Sequence, residues 1–395
     1  MRAETWKTQT WQSLPVYTGD VSGVCSALYE LGGMVVMHDP SGCNSTYNTH
    51  DEVRWTDMES LIFLSGLTQL DAITGNDRRL IDDIVSCAEE FSPKFIAIAN
   101  SPVPWLIGTD FTAICSKVYE QTGIRTFHVE TNAMHDYTRG AGQAFEMLAR
   151  TLFPEKAGVN RNEYGQDRIR VNVLGMTPLD FTNLSEAHTI RSMLESEGFE
   201  VVSVWAIGDT LENLEDSLSA DVNLVVSSTG IFAARWMEET FGIPYVAGVP
   251  VGAFAPVLFR EITRCAKEKT GSAPYLDVIK GCSDSGIRCV AGEPVTMGSV
   301  AADRILRDQR GCSLIPLTET VQGLIPEDAS CPAGENQIRE VLGGYEEVIA
   351  DPMLKAACAP GCRFEELPHF ALSGRMYLNR IRPLIQRQEK MNEYE

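Results

Sequence analysis

The sequence predicts an α/β protein made of three Rossmann-like, doubly wound domains with parallel sheets. Three observations lead there. Short apolar runs that suit buried strands, such as Met34–Met37, Phe95–Ala99 and Val222–Ser227, each end in turn residues. Stretches with apolar residues at three- and four-residue spacing lie between them, and this strand, turn, helix alternation winds right-handed crossovers onto a parallel sheet. At 395 residues the chain exceeds what one core serves, and a polar tract over 155–168 separates two runs of the alternation. The expected layout is an N-terminal arm (1–16), a first α/β domain (17–158), a second (159–255) and a third with the C-terminal segment (256–395).

Met1–Pro15 is polar, carries Trp6 and Trp11 and has no period, so it reads as an arm that packs on another surface. Val21, Val24, Leu28 and Leu31 predict a short helix stopped by Gly32-Gly33. Met34–Met37 is a buried strand, and His38-Asp39-Pro40-Ser41-Gly42-Cys43 must turn, because proline fixes φ and glycine admits the left-handed region. Cys43 is thereby held at the carboxyl end of a strand. Asp71–Gly75 precedes a helix over Arg78–Glu90, and the strand Phe95–Ala99 runs into Asn100-Ser101-Pro102. A helix over Thr109–Thr122, a strand over Arg125–Val129 and a helix over Arg139–Leu152 complete the first unit.

The second unit opens with a strand over Arg170–Gly175 and a helix over Ser185–Glu197, with Ser185 as N-cap and Gly198 as stop. Strands follow at Glu200–Ala206, Val222–Ser227 and Tyr245–Val249, with a helix over Phe232–Phe241. A helix over Ala255–Lys269 carries the chain into the third unit. There Ile287–Gly292, Ser313–Leu317 and Glu347–Ala350 read as strands and Thr296–Asp308 as a helix.

A net charge of -21 argues against nucleic acid and against an anionic membrane surface, both of which reward a basic footprint. The first thirty residues hold no basic-then-apolar leader, and no apolar run reaches the ~18 residues of a membrane span, so a cytoplasmic chain is expected. The eleven cysteines are then reduced thiols, mostly core filling. Neither a dinucleotide fingerprint nor a phosphate-binding Gly-x-x-x-x-Gly-Lys loop is present, so this chain is expected to bind no nucleotide. Zinc-ribbon spacing is absent too. Cys358-Ala-Pro-Gly-Cys362, and Cys282 with Cys289, are the nearest approaches to a metal cluster.

Side chains at the carboxyl ends of parallel strands converge on one crevice. Cys43, Asn100-Ser101 and Ser227–Gly230 occupy such ends, although Ser227–Gly230 equally suits a helix cap. His38, beside the first strand end, is placed to donate to a cluster sulfide or to shuttle protons near neutral pH; a backbone carbonyl would satisfy it as well. The carboxylates offer no pair assignable to acid–base work, and Glu212, Glu215 and Asp216 read as a solvated helix face.

Taken together, these pieces resemble the component 1 proteins of nitrogenase and the nitrogenase-like reductases over nearly the whole chain. His38-Asp39-Pro40-Ser41-Gly42-Cys43 resembles the family's His-Gly-Pro-x-Gly-Cys cluster motif, with Asp39 in place of its glycine. Asp71–Leu80, Phe91–Phe95, Asn100–Asp110, Val222–Val225 and Trp236–Pro244 are similar to further family segments. The resemblance implies three α/β domains, a [4Fe-4S]-type iron–sulfur cluster at a subunit interface, and thiolate ligands from both chains, soft donors suited to iron. It implies a homodimer, or a heterodimer or heterotetramer with a paralogous subunit, and a separate ATP-hydrolysing iron protein that delivers electrons. The substrate would be a tetrapyrrole or a small sulfur or nitrogen compound.

The departures narrow this. Ser101 stands where the family's loop has a cysteine, and Cys25 lies three residues, nearly one helical turn, from the family's first cysteine position near Ser22. Ser227 corresponds to the cofactor-anchoring cysteine of the nitrogenase α subunit, and no C-terminal histidine matches its second anchor. The resemblance therefore assigns the cluster to Cys43, then Cys25, then Ser101. A carrier that holds a cluster or cofactor precursor during assembly, and a true dinitrogen reductase subunit, are the alternatives.

Overall fold

The computed structural model describes residues 18–41, 52–153, 168–282 and 287–385. The expected arm, the 155–167 part of the polar tract and Cys43 lie outside these residues.

The first sheet is built by α1 (Asp20–Leu28), β1 (Met34–His38), β2 (Leu61–Leu64), α2 (Gln69–Thr74), α3 (Asp77–Phe91), β3 (Ile96–Asn100), α4 (Pro102–Ile107), α5 (Phe111–Thr122), β4 (Thr126–Val129) and α6 (Tyr137–Leu152). The second comprises β5 (Arg170–Met176), α7 (Ser185–Ser196), β6 (Glu200–Ala206), α8 (Leu211–Glu215), β7 (Val222–Val225), α9 (Ile231–Phe241) and β8 (Tyr245–Ala247). The third holds α10 (Ala255–Glu268), α11 (Pro274–Gly281), β9 (Arg288–Gly292), α12 (Pro294–Asp308), β10 (Ser313–Pro316), α13 (Glu335–Leu342), β11 (Glu347–Ala350), β12 (Arg363–Glu366) and α14 (Phe370–Ser373).

All three sheets are parallel and share one strand order: β2-β1-β3-β4, β6-β5-β7-β8 and β10-β9-β11-β12. Each order reverses between the first and third strands of its unit. Crevices outside the carboxyl ends of strands at such a reversal are where open α/β sheets bind ligands. The register sets His38 directly beside Asn100 at the first of them.

Helices cover the sheets because their apolar residues fall on one face. Leu80, Ile84 and Ala88 of α3 pack on Met34, Val36, Ile96 and Ile98. On the other face of the first sheet, α1 and α6 cross with almost nothing between them. A Cβ on Gly23 would lie 2.3 Å from the Tyr137 carbonyl oxygen, and one on Gly140 only 1.9 Å from that of Asp20. Beyond α6 the apolar core runs without a break into the second sheet, where Phe145 meets Trp205 edge-on at 5.8 Å.

Three local expectations need correction. Asp71–Gly75 belongs to a helix, α2, and its C-cap, and the strand before it is the apolar run Leu61–Leu64, a half-buried edge absent from the expected strands. Ser185 does not cap α7. Asn183 does that work, its Oδ1 accepting from the Ser185 amide (3.1 Å) and hydroxyl (2.7 Å). The charged Arg363–Glu366 forms the edge strand β12, also unforeseen.

Candidate functional site

At the first reversal, β1 delivers His38 and Asp39 and β3 delivers Asn100 and Ser101. The Ser101 amide donates to the His38 carbonyl (3.2 Å), so the two strand ends are locked together. Ser101 sits at the N-cap of α4, yet its hydroxyl caps nothing. An N-cap side chain bonds the amide of the second or third helical residue; the third, Pro104, has no N–H, and the hydroxyl does not bond that of the second, Val103. The Ser101 hydroxyl is left buried, with no hydrogen-bond partner among the described residues.

The segment that carries Cys43 starts from this crevice, and both its flanks are fixed. On the near side the Ser41 amide donates to Asp39 Oδ2 (2.9 Å). On the far side Arg54, fully buried, pairs with Glu52 (2.7 Å) and Glu30 (2.9 Å), donates to the Ser26 carbonyl (2.8 Å) and lies 4.5 Å over the Tyr29 ring. A buried guanidinium is tolerated because two carboxylates and a carbonyl replace its water.

Cys25 lies on α1 beneath this clamp, fully buried in the apolar core. Burial, and then the charge of Glu52, push its thiol well above the ordinary range. A ligand shared between two chains needs a thiolate at a surface; Cys25 instead packs as a core thiol. His38 is buried as well. Its Nδ1 is 2.7 Å from Ser65 Oγ, its ring meets Phe111 edge-on at 5.9 Å, and burial pulls its pKa down to about 4. That burial favours the neutral ring over the charged one. His128, stacked on Phe111 at 4.3 Å with Nε2 2.7 Å from Asn100 Oδ1, is likewise held to about 4 by burial.

Beside the crevice, at the same edge of the sheet, α2 and α4 present Leu70, Ile73, Trp105, Leu106 and Ile107 to solvent. Soluble monomers rarely expose so many large apolar side chains together.

The second and third reversals meet at a buried polar junction. Asp180, after β5, accepts four hydrogen bonds: from Tyr137 (2.5 Å) and His369 Nε2 (3.0 Å) on one oxygen, and from Ser227 (2.6 Å) and Thr177 (3.3 Å) on the other. Ser227 also accepts from the Thr229 amide (3.2 Å) and hydroxyl (3.1 Å), which fills a serine's capacity from within the chain. Glu293, after β9, accepts from the Ser228 amide (2.9 Å) and hydroxyl (2.5 Å) and caps α12 through Val295 and Thr296. Asp351, after β11, accepts from the His369 amide (2.8 Å). Burial opposes a charge on His369, but the hydrogen bond and charge of Asp180, with Asp351 and Glu293 behind it, outweigh burial and raise its pKa. Burial, then the charge of Asp180, raises that of Glu293.

Sequence reasoning reached Ser227 through its strand end. The same rule applied after β5, β9 and β11 would have found Asp180, Glu293 and Asp351, whereas nothing in the sequence marked His369. Among the described residues, no group of three or more histidines, cysteines and carboxylates is arranged to hold a metal ion. The thiols near Cys289 are Cys312, Cys358 and Cys362 rather than Cys282. No helix among the described residues is long and apolar enough to cross a membrane.

The family model described as nitrogenase component 1 type oxidoreductase matches residues 23–269, more than half of the chain. The chain belongs to that family. Among component 1 relatives, a subunit of the light-independent protochlorophyllide reductase of Prosthecochloris aestuarii is 24% identical over 268 residues, which cover 66% of this chain and 48% of the relative. The nitrogenase iron-molybdenum cofactor biosynthesis protein NifE of Clostridium pasteurianum is 26% identical over 218 residues, 53% of this chain and 45% of the relative. The matches thus span about half or less of the length of these curated relatives. The solved structure of nitrogenase Cp1 at pH 6.5 superposes with a TM-score of 0.66 at 14% identity, covering 93% of this chain and 88% of that one. The three-sheet component 1 architecture is therefore shared, although this chain carries a serine at position 101 and another at 227 where the family resemblance expects cysteines.

Proposed function

We propose that this chain is a component 1 subunit that holds an iron–sulfur cluster between two chains and receives electrons from a separate ATP-hydrolysing iron protein. The observation that carries the reading is the buried Ser101 hydroxyl at the first strand reversal, without a hydrogen-bond partner among the described residues and next to the fixed start of the Cys43 segment. A buried hydroxyl without a partner is costly, and a ligand beside it would remove that cost. Cys43 and Ser101 are the residues that would hold the cluster, which supplies single-electron transfer when bound. Cys25 is a ligand only if α1 moves. The remaining thiolates come from the second chain, a copy or a paralogue.

The apolar face of α2 and α4 beside the crevice suits a docking partner, and the net charge of -21 suits one with a basic rim. The substrate is a tetrapyrrole or a small unsaturated molecule. The likeness to NifE supports a second reading, in which the chain carries a cluster or cofactor precursor without turnover. Cytoplasmic residence goes with either.

Anaerobic iron and sulfide analysis with electron paramagnetic resonance, on the reconstituted wild type and on Cys43→Ala, tests the proposal. The wild type holds a cluster and Cys43→Ala does not. A wild type that takes up no iron overturns the cluster, and a normal cluster in Cys43→Ala overturns the ligand. Substrate reduction that requires iron protein and ATP separates the reductase from the carrier.

A further inference from the structure

The third sheet gathers thiols at the edge opposite Glu293 and Asp351. Cys289 lies near the amino end of β9, Cys312 precedes β10 and Cys362 precedes β12. Cys289 is fully buried, and Cys358 and Cys362, both half-buried, pack against the same apolar cluster.

What brings the outer two together is the turn between them. Ala359-Pro360-Gly361-Cys362 is closed by the Cys362 amide donating to the Ala359 carbonyl (3.1 Å), with Gly361 at φ 87°. Proline at the second position and a left-handed glycine at the third are the requirements of a type II turn. The reversal sets the Cys358 and Cys362 thiols in side-chain contact, and neither is in a disulfide. Besides that contact, each thiol makes a weak sulfur contact to a carbonyl, Cys358 to Leu354 (3.6 Å) and Cys362 to Arg363 (3.7 Å), so little holds the pair apart.

We propose that Cys358 and Cys362 form a reversible intramolecular disulfide by exchange with a low-molecular-weight disulfide such as oxidised glutathione. The thiolate of Cys362 attacks one sulfur of the small disulfide, which releases one small thiolate and leaves a mixed disulfide on the protein. Cys358, losing its proton, then attacks the protein-bound sulfur of Cys362 and releases the second small thiolate. Two protein thiols become one S–S bond, one small disulfide becomes two thiols, and the two protons leave with them. Cys358 serves as the resolving thiol because burial, then the neighbouring Cys362, push its pKa up to about 12. The exchange accordingly belongs at the slow end of the seconds-to-hours range of such reactions. The bond would close the turn that feeds β12, the edge strand whose far end leads to His369.

The test uses the full chain, equilibrated anaerobically in buffers of stepped reduced-to-oxidised glutathione ratio, alkylated, digested with trypsin and weighed. Cleavage after Lys355 and Arg363 puts both cysteines on the single peptide Ala356–Arg363. In the expected result this peptide loses both alkylation sites together, becomes lighter by two hydrogens, and recovers with dithiothreitol. In Cys358→Ser the reaction stops at a Cys362–glutathione mixed disulfide, and Cys331→Ser, which lacks a lone exposed thiol, titrates as the wild type. The proposal is overturned if the peptide stays doubly alkylated while Cys331 becomes glutathionylated, if both cysteines carry separate glutathiones, or if Cys362 is found linked to Cys289. Because the linked peptide is read in the wild type, the result stands even if a variant fails to fold.

Discussion

Asp180 and His369 lie 189 positions apart in the chain and meet at 3.0 Å with both side chains closed to solvent. The contact ties the strand reversal of the second sheet to the segment that follows the edge strand of the third. Removing one partner of a buried ion pair leaves the other uncompensated, at a cost of about 3–5 kcal/mol. Asp180→Asn should lose about that much in urea denaturation at pH 6. The loss should shrink with rising pH. The His369 pKa is raised above its ordinary 6.5, so the folded protein binds the extra proton, and the stabilisation is complete below about pH 6.5 and disappears as pH climbs through the raised value. A difference between the two proteins that stays constant to pH 9 would refute the charged pair.

Glu186 of α7 is buried and accepts from the amides of Leu384 and Ile385, both at 2.9 Å, so it clamps the C-terminal segment onto the second domain. Burial raises its pKa from 4.5 to about 7 against those two donors. Here the folded state holds the proton longer than the unfolded one, so stability falls as pH rises from about 4.5 to about 7. Glu186→Gln cannot titrate and should remove that part of the fall. Guanidinium midpoints of the two proteins at pH 5 and pH 7.5 read the difference directly, and parallel curves would exclude it.

Gly140→Ala places a methyl where the Asp20 carbonyl oxygen is, 1.9 Å away. Backbone cannot step aside as a flexible side chain can, so α1 and α6 must part. The expected cost is about 2–3 kcal/mol, at the upper end for overpacking. A melting temperature within a degree of the wild type would show that the crossing is looser than described.

Ile73 and Leu106 are 75% and 70% exposed on the apolar face of α2 and α4. Ile73→Asp and Leu106→Asp should leave stability within about 0.5 kcal/mol. If that face receives the electron-delivering partner, binding should weaken by about tenfold or more, because a charge at an interface core is poorly tolerated. Equal affinity of wild type and variants for the iron protein, measured by calorimetry, would move the docking site elsewhere.

The fold was legible wherever one local signal sufficed. Glu347–Ala350 is a strand with the expected bounds, because an apolar run between turn residues has few other uses. Leu61–Leu64 is four consecutive apolar residues, the signal that finds Met34–Met37, so this edge strand is legible by the same rule although it is absent from the expected strands. Arg363–Glu366 was missed because its charges face solvent or pair with Arg304 and Arg380. At the candidate site, the strand-end rule located His38, Ser101 and Ser227 but could not tell how each is satisfied. That depends on partners such as Ser65 for His38 and Asp180 for Ser227, 27 and 47 positions away. Cys25 shows the same limit: helical spacing put it near the right face, and only the packing of Glu52 and Arg54 over α1 reveals it as core.

The glycine crossing of α1 and α6 has a mechanical meaning. With backbone against backbone there is no compressible layer of side chains between the helices, so they move as one stiff part. One end of that part lies under the clamp that anchors the Cys43 segment, and the other carries Tyr137 to Asp180. Displacing either helix would therefore displace the other, so the clamp and the Tyr137–Asp180 contact share one rigid support.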